Sequence, residues 1–127
     1  MNQLQQNKEF IIRYYNAVSG ATKTWELLEQ YTTDEQLIGH GIFFETIFPN
    51  YEVFADELTA EYNRVVVRAR SRGVHKGKFN GILPFYKTIE THFMITYVIE
   101  DGKIICHSLI ADQLELMEQL VVMSAPE

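Results

Sequence analysis

Apolar residues near the start of the chain recur at helical spacing. Leu4, Ile11, Tyr14, Tyr15 and Val18 fall at steps of three, four or seven, which predicts an amphipathic helix over residues 3–18. Asn2 is suited to cap its start, and Ser19-Gly20 to stop it. Trp25, Leu28 and Tyr31 predict a second helix over 24–31, with Thr24 as its cap. Leu37, Ile38, Ile42, Phe43, Ile47 and Phe48 predict a third over 34–48, interrupted by Gly39 and Gly41 and ended by Pro49-Asn50.

After Pro49 the pattern changes to that of strands. Residues 51–60 alternate loosely, and the Val-rich stretch Arg64 to Arg72 suits a sheet. Gly73, Gly77 and Gly81 predict a bent or bulged strand next. Thr88 to Ile99 is a long run of β-formers. Asp101-Gly102 then reads as a hairpin turn into a strand from Lys103 to Ile110. Leu114, Met117, Leu120 and Val121 predict a short closing helix. Helices followed by consecutive strands imply an α+β fold with an antiparallel sheet, not a parallel βαβ sheet. A strongly curved sheet covered by the N-terminal helices would form a cone-shaped barrel with a pocket inside.

Composition narrows the function classes. The 127 residues fit one domain spanning 1–127, and 46% hydrophobic with 22% charged residues excludes wholesale disorder. Eleven Lys and Arg against seventeen Asp and Glu give a net charge of −6. That argues against nucleic acid or an anionic membrane as partner, since both need a basic surface. The polar N-terminus lacks the apolar segment of a signal peptide, and no run reaches the ~18 apolar residues of a membrane helix. The single cysteine, Cys106, permits no intrachain disulfide. Together these point to a soluble, cytoplasmic protein. No metal-ligand spacing, nucleophile elbow or phosphate- or dinucleotide-binding fingerprint is present, so neither metal nor cofactor is expected.

Five stretches resemble the SnoaL-like polyketide cyclases of the nuclear transport factor two-like superfamily. They are Asn7-Lys8-Glu9-Phe10-Ile11-Ile12-Arg13-Tyr14-Tyr15-Asn16-Ala17-Val18; Phe48-Pro49-Asn50-Tyr51; Asn63 to Arg70 leading into Gly73-Val74-His75-Lys76-Gly77-Lys78-Phe79-Asn80-Gly81-Ile82-Leu83-Pro84; Ile99-Glu100-Asp101-Gly102-Lys103-Ile104-Ile105-Cys106-His107; and Asp112-Gln113-Leu114 running to Gln119-Leu120. The resemblance implies the curved-sheet α+β barrel, a deep and mostly apolar pocket, and a homodimer. Two positions depart from the family pattern. Ser108 stands where many relatives have Trp, and Gly81-Ile82-Leu83-Pro84-Phe85-Tyr86 replaces a Gly-Ile-Pro-Pro-Thr-Gly run. Both bear on the pocket wall or mouth.

The resemblance also makes Asp112 the acid/base candidate, because it matches the Asp that ends the last strand in the family's cyclases. Its apolar neighbours Leu109, Ile110 and Ala111 would desolvate the carboxyl and push it up toward working pH. The competing reading is that Asp112 caps the closing helix; both hold only if one carboxylate oxygen stays free. His40, between Gly39 and Gly41, and His92, on an alternating strand with Met94, are the candidate partners or donors. Tyr14, Phe43, Phe79, Met94 and Ser108 are the candidate ligand-binding residues. Of the aromatic set Tyr14, Tyr15, Phe43, Phe48, Phe79, Phe93 and Tyr97, two to four are expected at a pocket and the rest in the core. If the last strand is regular, Cys106 and Ser108 share the face of Ile104, while Ile105, His107 and Leu109 point to the uncovered side, where a second copy would pack sheet to sheet. Cys106 reads as a buried structural thiol, and Arg68, Arg70 and Arg72 as a solvated outer face.

Two functions fit this inventory. One is cofactor-independent acid/base chemistry, such as intramolecular aldol cyclisation or a related isomerisation, on an apolar carbonyl compound. The other is a non-catalytic dimer of the same fold that binds an apolar small molecule.

Overall fold

The computed structural model describes residues 2–124. Helix α1 is Gln3–Val18, capped by Asn2, whose side chain accepts from the Gln5 N–H. A single turn α2, Trp25–Leu28, is capped by Thr24. Helix α3 is Glu35–Ile47, with the Asp34 carboxylate accepting from Gln36 N and Leu37 N. Strands β1 (Glu52–Glu61), β2 (Arg64–Val74), β3 (Thr88–Glu100) and β4 (Lys103–Ala111) follow, then helix α4 (Gln113–Ser124).

The strands pair antiparallel in chain order, and the curled sheet with its N-terminal helices has the α+β fold expected. Alternation along β2 sorts its two faces. Val65, Val67 and Ala69 are fully buried beneath the helices. Arg70 and Arg72 point outward, paired with Asp56, Glu90 and Glu52. The inner face meets Ile11, Tyr14, Tyr15 and Val18 of α1 and Leu37 and Ile38 of α3 in the main core. Each buried Ile or Val there stabilises the fold by roughly 1.5–3 kcal/mol. Asp101 and Gly102 both have positive φ, 51° and 73°, the geometry of a two-residue hairpin turn.

Three local expectations need correction. Residues 75–87 form a loop, not a bent strand, because the ladder between β2 and β3 stops at Val74 and Thr88. The loop is held by Lys76 and Gly77 N–H groups donating to Ile47 O at 2.9 and 3.0 Å. It carries Phe79 into a second apolar cluster with Ile47, Phe48, Leu116 and Leu120. Secondly, the closing helix is longer than predicted, at Gln113–Ser124; the side chain of Val121 lies outside the described residues. Thirdly, β4 is not regular. Val98 pairs with Cys106 but Ile99 pairs with Ile104, so Ile105 is the extra residue of a bulge. One extra residue inverts the side-chain parity beyond it. Ile104 is fully buried, but beyond the bulge Leu109 packs on the core, while Cys106, Ser108 and Ile110 are exposed.

Candidate functional site

Helices α1 and α3, the concave face of the sheet and the start of α4 line a partly open cavity of about 130 Å³. At ~10–15 Å³ for each water-sized group, it has room for on the order of ten such groups. Its wall is mostly apolar, with Leu28, Leu37, Phe44, Phe93, Ile95 and Leu109 among the lining residues. Tyr14, His40 and Asp112 line the same cavity.

His40 belongs to continuous helix α3, so the flanking glycines do not interrupt the helix. Gly41 serves instead by lacking a Cβ, which would lie 3.0 Å from Leu28 Cδ1 and 3.7 Å from the Tyr51 hydroxyl oxygen. The His40 ring lies on Phe44, with centroids 4.7 Å apart. Burial, and then the charge of His107, lower its pKa below the ordinary imidazole value. The ring is therefore neutral at pH 7, with one N–H to donate and one lone pair to accept.

Asp112 stands where β4 gives way to α4, and its surroundings correct the expectation of burial: the residue is exposed at the cavity's edge. Its Oδ1 caps α4 by accepting from Glu115 N at 2.8 Å. Oδ2 accepts no hydrogen bond among the described residues. The cap and a free carboxylate oxygen thus coexist.

Other candidates lie elsewhere. His92 is on the outer face, exposed, with Nδ1 donating to Glu115 at 3.0 Å. Met94 is 48% exposed on that same face. Ser108 also points outward and is exposed, as the bulge at Ile105 requires. Phe79 is buried in the second cluster and Phe43 is exposed; neither lines the cavity. Five aromatics of the expected set do so, Tyr14, Tyr15, Phe48, Phe93 and Tyr97, more than the two to four foreseen.

The structure adds two features that the residue pattern did not single out. His107 turns inward and its Nδ1 donates to Asp34 Oδ2 at 2.6 Å in a largely buried pair. Thr32 prepares this contact: its hydroxyl donates to Ile104 O and accepts from Asp34 N, seating the start of α3 beside β4. The second feature is Lys23, 3% exposed and lining the cavity. Its ammonium donates to Ala21 O at 2.8 Å and to Tyr51 O, lies 4.0 Å from Glu45, and sits over the Tyr51 ring. Burial lowers its pKa to about 8 despite Glu45 and Glu52. Between pH 8 and about 10.5 the unfolded chain therefore holds a proton that the folded chain has lost, and stability rises with pH through that window. Lysine side-chain NMR is expected to show one amine with a midpoint near 8, absent in Lys23→Met. Urea unfolding at pH 7.5 and 9.5 is expected to show the wild type gaining stability relative to that variant. A midpoint near 10.5 would contradict this account of the site.

Residues 42–120 match the family model of the SnoaL-like polyketide cyclases. The chain belongs to this family. No protein of curated function matches it in sequence. Solved structures agree on the fold. A protein of Jannaschia sp. CCS1, described as a SnoaL-like polyketide cyclase, superposes with a TM-score of 0.80 at 25% identity, over 100% of this chain and 98% of its own. One from Acidithiobacillus ferrooxidans, described as a polyketide cyclase, gives 0.82 at 17% identity, over 98% and 100%. AclR of Streptomyces galilaeus, described as a hydroxylase, gives 0.80 at 16%, over 98% and 87%. Proteins of one fold thus carry different reaction names, and the fold alone does not set the chemistry of this chain.

Among the described residues, no group of three or more His, Cys, Asp or Glu side chains is arranged to hold a metal ion. No helix among them is long and apolar enough to cross a membrane.

Proposed function

We propose that this SnoaL-like protein carries out cofactor-independent acid/base chemistry on an apolar carbonyl compound, such as intramolecular aldol cyclisation or a related isomerisation, in the cytoplasm. The observation that carries this reading is one mostly apolar cavity whose wall holds a neutral imidazole, His40, and whose edge holds a carboxylate with a free oxygen, Asp112. In the proposed reaction Asp112 Oδ2 takes a proton from the carbon next to a carbonyl. The C–H electron pair forms a carbon–carbon double bond and the carbonyl π pair moves onto oxygen, giving an enolate. The enolate carbon attacks a second carbonyl, whose oxygen accepts from the His40 N–H, and the new alkoxide then takes up the proton held by Asp112, which restores the carboxylate. The test uses 2-tetralone, an apolar enolisable ketone, in D₂O. The protein is expected to accelerate deuterium uptake at its α-carbon, followed by NMR, above the buffer rate. A rate equal to buffer would contradict acid/base chemistry and leave the reading as a ligand-binding protein.

We also propose a two-fold dimer through the uncovered sheet face, with a revised set of contact residues. His107 and Leu109 turn inward, so the outer surface is carried by Met94, Ser108 and Ile110, in register with Arg68, Thr96 and Val66 of the neighbouring strands. Ile110, near the end of the edge strand β4, is 78% exposed, an unusual state for a large aliphatic on a sheet face. Light scattering is expected to give twice the 14.8 kDa chain mass at micromolar concentration, and Ile110→Lys to give the monomer. A wild-type monomer would contradict it.

A further inference from the structure

The cavity holds more hydrogen-bond donors than the acid/base step uses. Tyr14, Tyr15, Tyr51 and Tyr97 all line it. Tyr14, Tyr15 and Tyr97 are 7%, 5% and 3% exposed, so bulk water does not serve their hydroxyls. The Tyr15 and Tyr97 hydroxyl oxygens lie 2.9 Å apart. That contact consumes one proton, because of two hydroxyls only one donates to the other, and the second O–H points elsewhere. The hydroxyls of Tyr14 and Tyr51 bond to no protein acceptor among the described residues. Lys23 adds a fourth donor: two of its N–H groups meet Ala21 O and Tyr51 O, and its third finds Glu45 only at 4.0 Å.

Acceptors on this wall do not match these donors in number: His40 offers one lone pair, and the others are engaged or exposed. The hydroxyls of Ser71 and Thr91 bond to each other at 2.8 Å, and Asp112 stands exposed at the edge. A buried donor without an acceptor is costly, so an occupant that brings acceptor oxygens is favoured over a hydrocarbon of the same shape. We propose that Tyr14, Tyr15, Tyr51, Tyr97 and Lys23 form a donor pole that receives an anionic ligand oxygen, an enolate or a phenolate. This rests on the acid/base reading and completes it. When the α-proton passes to Asp112, the C–H electron pair forms a carbon–carbon double bond, the carbonyl π pair moves onto oxygen, and the pole meets the charge that develops there. Donors fixed in a water-poor wall, with one phenol polarised by the next, need no reorganisation to do so. Burial holds all four phenols above their ordinary pKa, so they remain donors, and Lys23, at about 8, is still protonated at neutral pH.

The experiment compares 2-naphthol with 2-methoxynaphthalene, an ether of nearly the same shape with no proton to lose. Absorption distinguishes naphthol from naphtholate. At pH 7 the wild type is expected to bind 2-naphthol as the naphtholate, and at least about tenfold tighter than the ether, the worth of one hydrogen bond to a charged group. Tyr97→Phe and Tyr51→Phe, which keep the rings, are each expected to lower naphthol affinity several-fold, and Lys23→Met to abolish the naphtholate band. All three should leave ether affinity within about twofold, a pattern that a merely structural role would not produce. Equal binding of naphthol and ether without a naphtholate band, parallel losses of both in the variants, or binding of neither would each overturn the donor pole. Asp112→Asn is expected to retain naphtholate binding while losing α-exchange. If α-exchange depends on Asp112 but naphtholate is not preferred, the donor pole falls and the acid/base reading stands.

Discussion

Asp112→Asn is expected to lower α-hydrogen exchange of 2-tetralone by a factor on the order of 10²–10⁴, the usual share of general acid–base catalysis. The variant is informative because the two roles of this carboxylate sit on different oxygens. Oδ1 accepts from Glu115 N and holds the start of α4. An Asn side chain keeps that acceptor, so the fold is expected to stay within a few tenths of a kcal/mol of wild type. The amide that replaces Oδ2 cannot take a proton, and exchange should fall with the cap intact. Asp112→Ala removes both functions. It is expected to lose exchange to the same degree and to cost about 1 kcal/mol in urea unfolding. Unchanged exchange in Asp112→Asn would remove Asp112 from the mechanism.

The second large effect is expected at Gly77. A Cβ at this position would lie 2.1 Å from Thr46 O and 2.9 Å from the Ile47 Cα. Both are backbone atoms at the end of α3 and cannot rotate away as a side chain would. Gly77→Ala must therefore push the 75–87 loop off α3, breaking the hydrogen bonds from Lys76 and Gly77 to Ile47 O. The same loop brings Phe79 and Phe85 against Phe48, Leu116 and Leu120, and Phe48 and Leu116 also line the cavity. We expect a loss of at least about 2 kcal/mol by urea unfolding, as for other overpacked positions, and a more open cavity. Stability within about 0.5 kcal/mol of wild type would show that the loop is not held there.

Much of the frame was legible because its signals are local. Asn2, Thr24 and Asp34 stand at helix starts where short polar side chains satisfy free N–H groups, and each does so. The Asp101-Gly102 turn and the Val-rich β2 face are equally local. The errors arise where one residue changes a long-range relation. Ile104 and Ile105 read as a continuous apolar pair, and nothing in that pair marks a bulge. Yet the bulge decides that Leu109 faces the cavity and that Ser108 does not. Regular alternation placed Ser108 inside and His107 outside; the structure reverses both. The turn-rich loop after Gly73 was mistaken for a strand because its glycines interrupt a segment of otherwise ordinary strand composition. Parity groups His92 with Met94 but does not say which face of β3 is concave; Phe93, Ile95 and Tyr97 take that face, which sends His92 and Met94 outward. Lys23 gave no signal, because burial of a lysine depends on carbonyls, here those of Ala21 and Tyr51, whose arrangement only the fold supplies.

Reaction is expected in the cavity between the helices and the concave sheet face, not in the outer groove of Arg68, His92, Met94 and Ile110, which Asp112 also borders. The most direct test is a crystal structure of the protein with 2-tetralone bound. The ketone is expected inside the cavity, with its α-carbon about 3–3.5 Å from Asp112 Oδ2, the separation of a reactive arrangement. Ketone density in the outer groove, with the cavity unfilled, would contradict it.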